Sequence, residues 1–198
     1  IAVHVAREQQ AMLLKEMQHR IKNVFSIASS LTKLLATKAA TPAELAAMVG
    51  DRMTALARAH GLTVVDPEAE TAAPDQPTTL HALVRVLVAP FVGEANDRFQ
   101  LDGIDAPISS RSLTPLALVV NELITNAAKH GAWRGPSGNV RLQCDRGEGL
   151  LTVCWEESGC EELFQPPVHS GFGDKLSQMT VERQLGGTIR REWQPERL

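Results

Sequence analysis

Apolar residues early in the chain recur at Leu14, Met17, Ile21, Val24, Ala28, Leu31 and Leu35, in steps that alternate three and four. That spacing keeps one stripe of a helix apolar over three heptads and predicts a long amphipathic helix. Thr41-Pro42 then reads as a new helix start, with Thr as N-cap and Pro at the first helical position. A second apolar stripe runs through Leu45, Val49, Leu56 and Ala59 and stops near Gly61. Two helices joined by a short turn bury too little of their own stripes, so a second copy completing a four-helix bundle is expected, and with it a homodimer. The same heptad also suits a helical stalk that only connects domains.

Residues 66–78 are acidic, carry three prolines and few large apolar groups, and read as a linker. Beyond it the periodicity changes. Thr79–Val92 predicts a helix, Arg98–Leu101 a short strand, and Ser112–Trp133 a long helix with Thr114 and Pro115 at its start. Asn139–Cys144 and Leu150–Glu156 flank D-R-G-E-G, a hairpin with Gly at the turn. Phe172–Leu185 predicts a last helix, and Thr188–Trp193 a last strand after G-G. Strands and helices interleave without a regular βαβ beat, so a two-layer α+β sandwich is expected after the helical hairpin.

Composition sharpens this division. Only 4% of the 198 residues are aromatic. Phe25 stands alone before the linker, and the others, including all three Trp, lie from Phe91 onward. An aliphatic bundle and a mixed sandwich draw on different core residues, which favours two domains. The net charge of −3 excludes a domain that binds nucleic acid by counterion release. No apolar run reaches the roughly 18–20 residues that a membrane span needs. Three cysteines, Cys144, Cys154 and Cys160, are too few and odd in number for a disulfide scaffold and point to a reducing, cytoplasmic setting. The chain opens on Ile1, so an upstream neighbour is expected.

Four short segments could carry chemistry. On the helix over 112–133, Glu122, Asn126 and Lys129 share a stripe apart from the apolar face. A carboxylate and an amide offer oxygens to Mg²⁺ and its waters, and the ammonium offers charge to phosphate; a solvated helix face would show the same stripe. In Trp155-Glu156-Glu157-Ser158-Gly159, Leu151, Val153 and Trp155 share one strand face, which makes Trp155 a core residue. Glu157 lies just beyond, where a carboxylate can accept a hydrogen bond from an exocyclic amine such as adenine's, or simply face water. Gly171-Phe172-Gly173 opens a helix whose free N–H groups suit phosphate. Last, His19-Arg20-x-Lys22-Asn23 places an imidazole, partly neutral near pH 7, beside basic groups on the outward face of the first helix.

Together these segments resemble the core of bacterial sensor histidine kinases, in the class whose phosphoacceptor helix reads H-R-x-K-N, related to the HWE kinases. E-M-Q-H-R-I-K-N-V-F-S is similar to that helix and R-M-T-A-L-A-R-A-H-G-L to its partner. L-A-L-V-V-N-E-L-I-T-N-A-A-K-H-G resembles the N-box, W-E-E-S-G the W-x-E segment, and G-F-G-D-K-L-S the second glycine box. One position departs: Asn121 stands where the strict HWE subfamily carries histidine.

The resemblance implies a dimerisation and phosphotransfer hairpin over residues 1–65, a linker over 66–78 and a Bergerat, GHKL-type ATP-binding sandwich over 79–198. It implies ATP and Mg²⁺ as cofactors, His19 as phosphoacceptor with Arg20, Lys22 and Asn23 beside it, and Asn126 and Glu122 at the metal. Lys129 would stand near phosphate and Glu157 at adenine, with Gly159, Gly171 and Gly173 shaping the pocket. A response-regulator receiver domain is the implied partner, and an upstream sensor domain the implied input. A phosphotransfer adaptor without ATP use, or one biased to phosphatase action, is the alternative, and a GHKL-type serine kinase a more distant one.

Overall fold

The computed structural model describes residues 21–22, 24–62, 78–92, 97–159 and 171–193. It divides into two compact units, Ile1–Met53 and Thr54–Leu198. Of the residues singled out above, Leu14, Met17, His19, Arg20, Asn23, Cys160 and the linker up to residue 77 lie outside the described set.

In the first unit, residues 24–36 form helix α1, with Leu31 and Leu35 buried and Phe25 71% exposed. The chain leaves α1 through turns onto the Leu35 carbonyl and enters α2 (Pro42–Gly61) through a capping box. The Glu44 N–H donates to Thr41 Oγ1 (3.1 Å), and Glu44 Oε2 accepts from the Ala40 N–H (2.7 Å). Two donors at the helix start are satisfied this way, and Pro42 has none to satisfy.

In the second unit, α2 ends with Ala55, Leu56 and Ala59 buried, and His60 Nε2 shares a hydrogen bond with Thr114 Oγ1 (3.1 Å). Helix α3 (Leu80–Val92) buries Leu80, Leu83, Val84, Leu87 and Val88, a stripe at the helical period. Strand β1 (Phe99–Gly103) leads into α4 (Ser110–Lys129), and β2 (Asn139–Gly147) and β3 (Leu150–Ser158) form the hairpin. The sheet order is β1-β2-β3: β1 pairs with β2 in parallel, and β2 with β3 antiparallel. A parallel pair needs a crossover, and α4 supplies it. Along β2, Val140, Leu142 and Cys144 are buried and alternate with more exposed residues, as a half-buried strand requires. Helices and sheet thus make the mixed α+β unit expected after the hairpin. No helix among the described residues is long and apolar enough to cross a membrane.

Several boundaries differ from the sequence reading. Helix α4 starts at Ser110, two residues before the expected Ser112, and Ser109 Oγ accepts from the Ser112 N–H and caps the end. It stops at Lys129, where His130 leaves helical geometry, and Trp133 sits instead in a 3-10 turn, Ala132–Arg134. Helix α5 covers Phe172–Thr180 and loosens into a π turn at Val181–Leu185, closed by Gly186 at φ 69°. Residues 188–193 form no strand. There Arg191 pairs with Asp174 at the start of α5, and no sheet partner lies alongside among the described residues. Leu151 and Val153 of β3 are exposed rather than core, since β3 is the sheet's edge and only Trp155 and Glu157 are half-buried.

Burial raises the Cys144 thiol to about 11, with Asp105 and Asp145 adding to the shift. The unfolded thiol ionises near its ordinary value, so the fold binds the proton more tightly. That contribution is complete below the ordinary value and is lost as pH rises through the folded one. Denaturation midpoints are therefore expected to fall between about pH 9 and 11, and Cys144→Ala is expected to flatten that alkaline decline.

Candidate functional site

Helix α4 is buried almost all round, so its polar residues are not a solvated face. Glu122 is 3% exposed and Asn121 6% exposed, Asn126 is half-buried, and Lys129 is exposed in the last turn. Lys129 there also complements the negative end of the helix dipole. A carboxylate is rarely taken that far from water without a charge or donor to meet it.

The start of α5 comes directly against this stripe. A Cβ on Gly173 would stand 2.6 Å from Glu122 Oε2 and 3.9 Å from Asn126 Nδ2. Only a glycine lets the helix backbone approach that closely. Gly171 is the N-cap residue of α5 and has no side chain to cap the first turn. Two segments 50 residues apart in sequence, Asn121–Lys129 and Gly171–Gly173, thus meet at one place. An oxygen-donor pair beside a helix N-terminus fits a hard divalent cation carrying a phosphate.

Glu157 is held differently from a free acceptor. Its Oε2 accepts the Ala132 N–H at 2.8 Å and its Oε1 accepts the Trp155 indole N–H at 3.0 Å. Trp155 and Glu157 lie two apart on one strand face, so the W-x-E spacing itself brings indole and carboxylate together. Each carboxylate oxygen keeps further acceptor capacity for a ligand. Trp155 packs in turn against Phe99 and Trp133, with ring centroids 6.2 Å away in both cases. Gly159, at φ 70°, rounds the end of β3 over the Ser137 carbonyl.

Gly131 was not singled out in the sequence. A Cβ there would overlap Glu157 Oε2 and lie 2.9 Å from the Ala127 Cα, so the end of α4 and the Glu157 carboxylate share one tight contact. The clustering of Gly131, Gly135 and Gly138 from the last residue of the N-box-like segment onward is the signal that could have marked it. Gly131→Ala is expected to displace the carboxylate and lose the Ala132 bond, costing about 1–3 kcal/mol of stability in denaturant titration.

Of the phosphoacceptor-like set, Lys22 is helical and exposed. Among the described residues there is no cluster of three or more His, Cys, Asp and Glu that could hold a metal ion.

Comparison with known proteins follows this geometry. A family model described as HWE histidine kinase matches residues 16–105. A blue-light-activated histidine kinase from Rhizobium johnstonii is 35% identical over 191 residues, covering 94% of this chain and 51% of that protein. Blue-light-activated histidine kinase 1 from Erythrobacter litoralis is 31% identical over 190 residues, covering 94% and 51%. Over most of its length the chain is similar to HWE-related histidine kinases. It spans about half the length of these curated relatives. The solved histidine kinase domain of an Erythrobacter litoralis blue-light activated histidine kinase overlays it with a TM-score of 0.50 at 22% identity, over 85% of this chain and 81% of that one. At that identity the likeness speaks to fold alone. The HWE match ends before Asn121, Trp155 and Glu157, so it rests on the helical segment and α3 rather than on those three positions.

Proposed function

We propose that this HWE-related chain is the transmitter core of a sensor histidine kinase, which phosphorylates its own His19 from Mg-ATP and passes the group to an aspartate of a response regulator. The observation that supports it most is the approach of Gly173 to Glu122 and Asn126. It joins the N-box-like helix to the glycine-box-like turn, where the resemblance would have them serve one nucleotide. In this reading residues 1–65 are a dimerising hairpin, 66–78 a linker and 79–198 a Bergerat-type ATP-binding domain, working as a cytoplasmic homodimer under an upstream sensor.

Asn126 and Glu122 hold Mg²⁺, Glu122 partly through water, and the cation supplies charge neutralisation on the phosphates. Lys129 adds positive charge at the phosphates, and the backbone at Gly171 and Gly173, where α5 begins, lies against them. Glu157 accepts the adenine amine from an orientation fixed by Trp155 and Ala132. The neutral imidazole nitrogen of His19 attacks the γ-phosphorus; the N–P bond forms as the bond to the ADP oxygen breaks. Arg20, Lys22 and Asn23 steady the transferred group and its charge. The chain's contribution is positioning and electrostatics, as phosphoryl transfer generally requires.

Incubation with γ-labelled ATP and Mg²⁺ tests this. The expected product is a protein-bound label that is lost in acid and stable in base, as a phosphoramidate is. Absence of label from a chain that fails to bind a non-hydrolysable ATP analogue overturns the proposal.

A further inference from the structure

Arg98 precedes β1 and lies outside the four short segments singled out in the sequence for their chemistry. Its Nε donates to the Gly138 carbonyl at 3.0 Å, and its Nη2 donates to the carbonyls of Ala132, at 3.3 Å, and Gly135. The Arg98 carbonyl in turn accepts the Trp133 indole N–H at 3.1 Å and the Val140 N–H at 3.0 Å. One residue thereby pins both ends and the middle of the 132–138 segment. A planar guanidinium with donors in a fixed fork can serve three carbonyls at once; an ammonium is a single point of charge on a flexible stem.

The pinned segment is the one on which the W-E-E-S-G strand end rests. Ala132 supplies the N–H that holds Glu157 Oε2 at 2.8 Å. A Cβ on Gly159 would stand 2.8 Å from the Ser137 carbonyl and 3.4 Å from the Gly138 Cα, so the turn after Glu157 lies directly on the segment. Trp133, held to Arg98, also makes an edge contact with Trp155, the other donor to Glu157, at 6.2 Å between ring centroids. Both hydrogen bonds described on the Glu157 carboxylate, from Ala132 and from Trp155, therefore lead back to Arg98 within one or two steps.

We infer that Arg98 is a positioning residue for base recognition: by clamping residues 132–138 it fixes the Glu157 carboxylate where it distinguishes a purine bearing an amine at C6 from one bearing a carbonyl there. This rests on the nucleotide reading above, in which Glu157 meets adenine.

Calorimetric titration with non-hydrolysable ATP and GTP analogues, each with Mg²⁺, tests it on the full chain, wild type and Arg98→Lys, in the Glu157 and Glu157→Gln backgrounds. The expected result is an ATP-over-GTP preference reduced about tenfold by Arg98→Lys with Glu157 present, and changed less than twofold by it once Glu157 is Gln. A role confined to holding the fold would weaken both nucleotides alike in both backgrounds, and that result overturns the inference. Should Arg98→Lys unfold the chain, Arg98→Gln, which leaves the packing of Trp133 on Phe91, Phe99 and Trp155 in place and keeps one side-chain donor, carries the same comparison. The Trp155 indole N–H resonance is an independent readout: it is expected to shift in Arg98→Lys without nucleotide, and an unmoved resonance overturns the inference. If wild type binds neither analogue, the nucleotide reading falls, while the resonance still decides whether Arg98 positions Glu157.

Discussion

Asn126→Ala is expected to abolish Mg-ATP-dependent phosphorylation while leaving the chain slightly more stable. Asn126 lies within α4, half-buried, where an asparagine is a poorer helix former than alanine by about 0.5 kcal/mol. Removing it relieves that disadvantage, and for a chain of this size the melting temperature should rise by roughly 1–2 °C. The same change deletes the amide beside Gly173 and Glu122. A polar contact to a charged ligand is worth about 1.5–3 kcal/mol, so nucleotide affinity should fall by about one to two orders of magnitude. Opposite movements of stability and affinity mark a residue kept for its ligand. A parallel loss of both, in a thermal melt and a calorimetric titration, would assign Asn126 to the fold instead.

His19→Ala is expected to separate the two halves of the same reaction. Label transfer from ATP should drop to background, since no other nitrogen nucleophile is aligned with the H-R-x-K-N pattern. Nucleotide affinity should stay within about twofold of wild type, because every residue proposed to hold ATP lies beyond residue 120 of the sequence. Labelling that persists at the wild-type level in the variant would place the phosphoacceptor elsewhere and sink the assignment of His19. Taken with Asn126→Ala, the pair separates a chain that binds without transferring from one that cannot bind.

How much of this was legible along the chain depends on how local each cause is. The capping box at Thr41 and Glu44, the hairpin turn around Gly147 and Gly149, and the apolar stripe of α3 are set by residues within a few positions of one another. They were readable for that reason. The start of α4 lies two residues before the expected Ser112 because the cap is Ser109, whose Oγ accepts the Ser112 N–H, in a run of serines where the pattern alone does not single out one position. The strand expected at 188–193 does not form because a strand needs a sheet edge to pair with, which is a tertiary condition that local alternation does not report. The candidate site divides the same way. Glu122, Asn126 and Gly173 were legible as types in a pattern, but their meeting is a tertiary fact. The two donors on Glu157 follow partly from strand alternation, which predicts Trp155 beside it, and partly from Ala132, 25 residues away, which nothing local predicts.

The parallel pairing of β1 with β2 has a kinetic consequence. The β2–β3 hairpin closes across a turn of a few residues, whereas Phe99 must find Val140 across the whole of α4. Closing that longer loop loses more chain entropy before any contact rewards it, so hairpin and helix form first and β1 docks late. Arg98, next to Phe99, arrives with it. The surface that orders Glu157 is therefore completed in the last step of folding, and in native-state hydrogen exchange the amides of β1 should open before those of the hairpin.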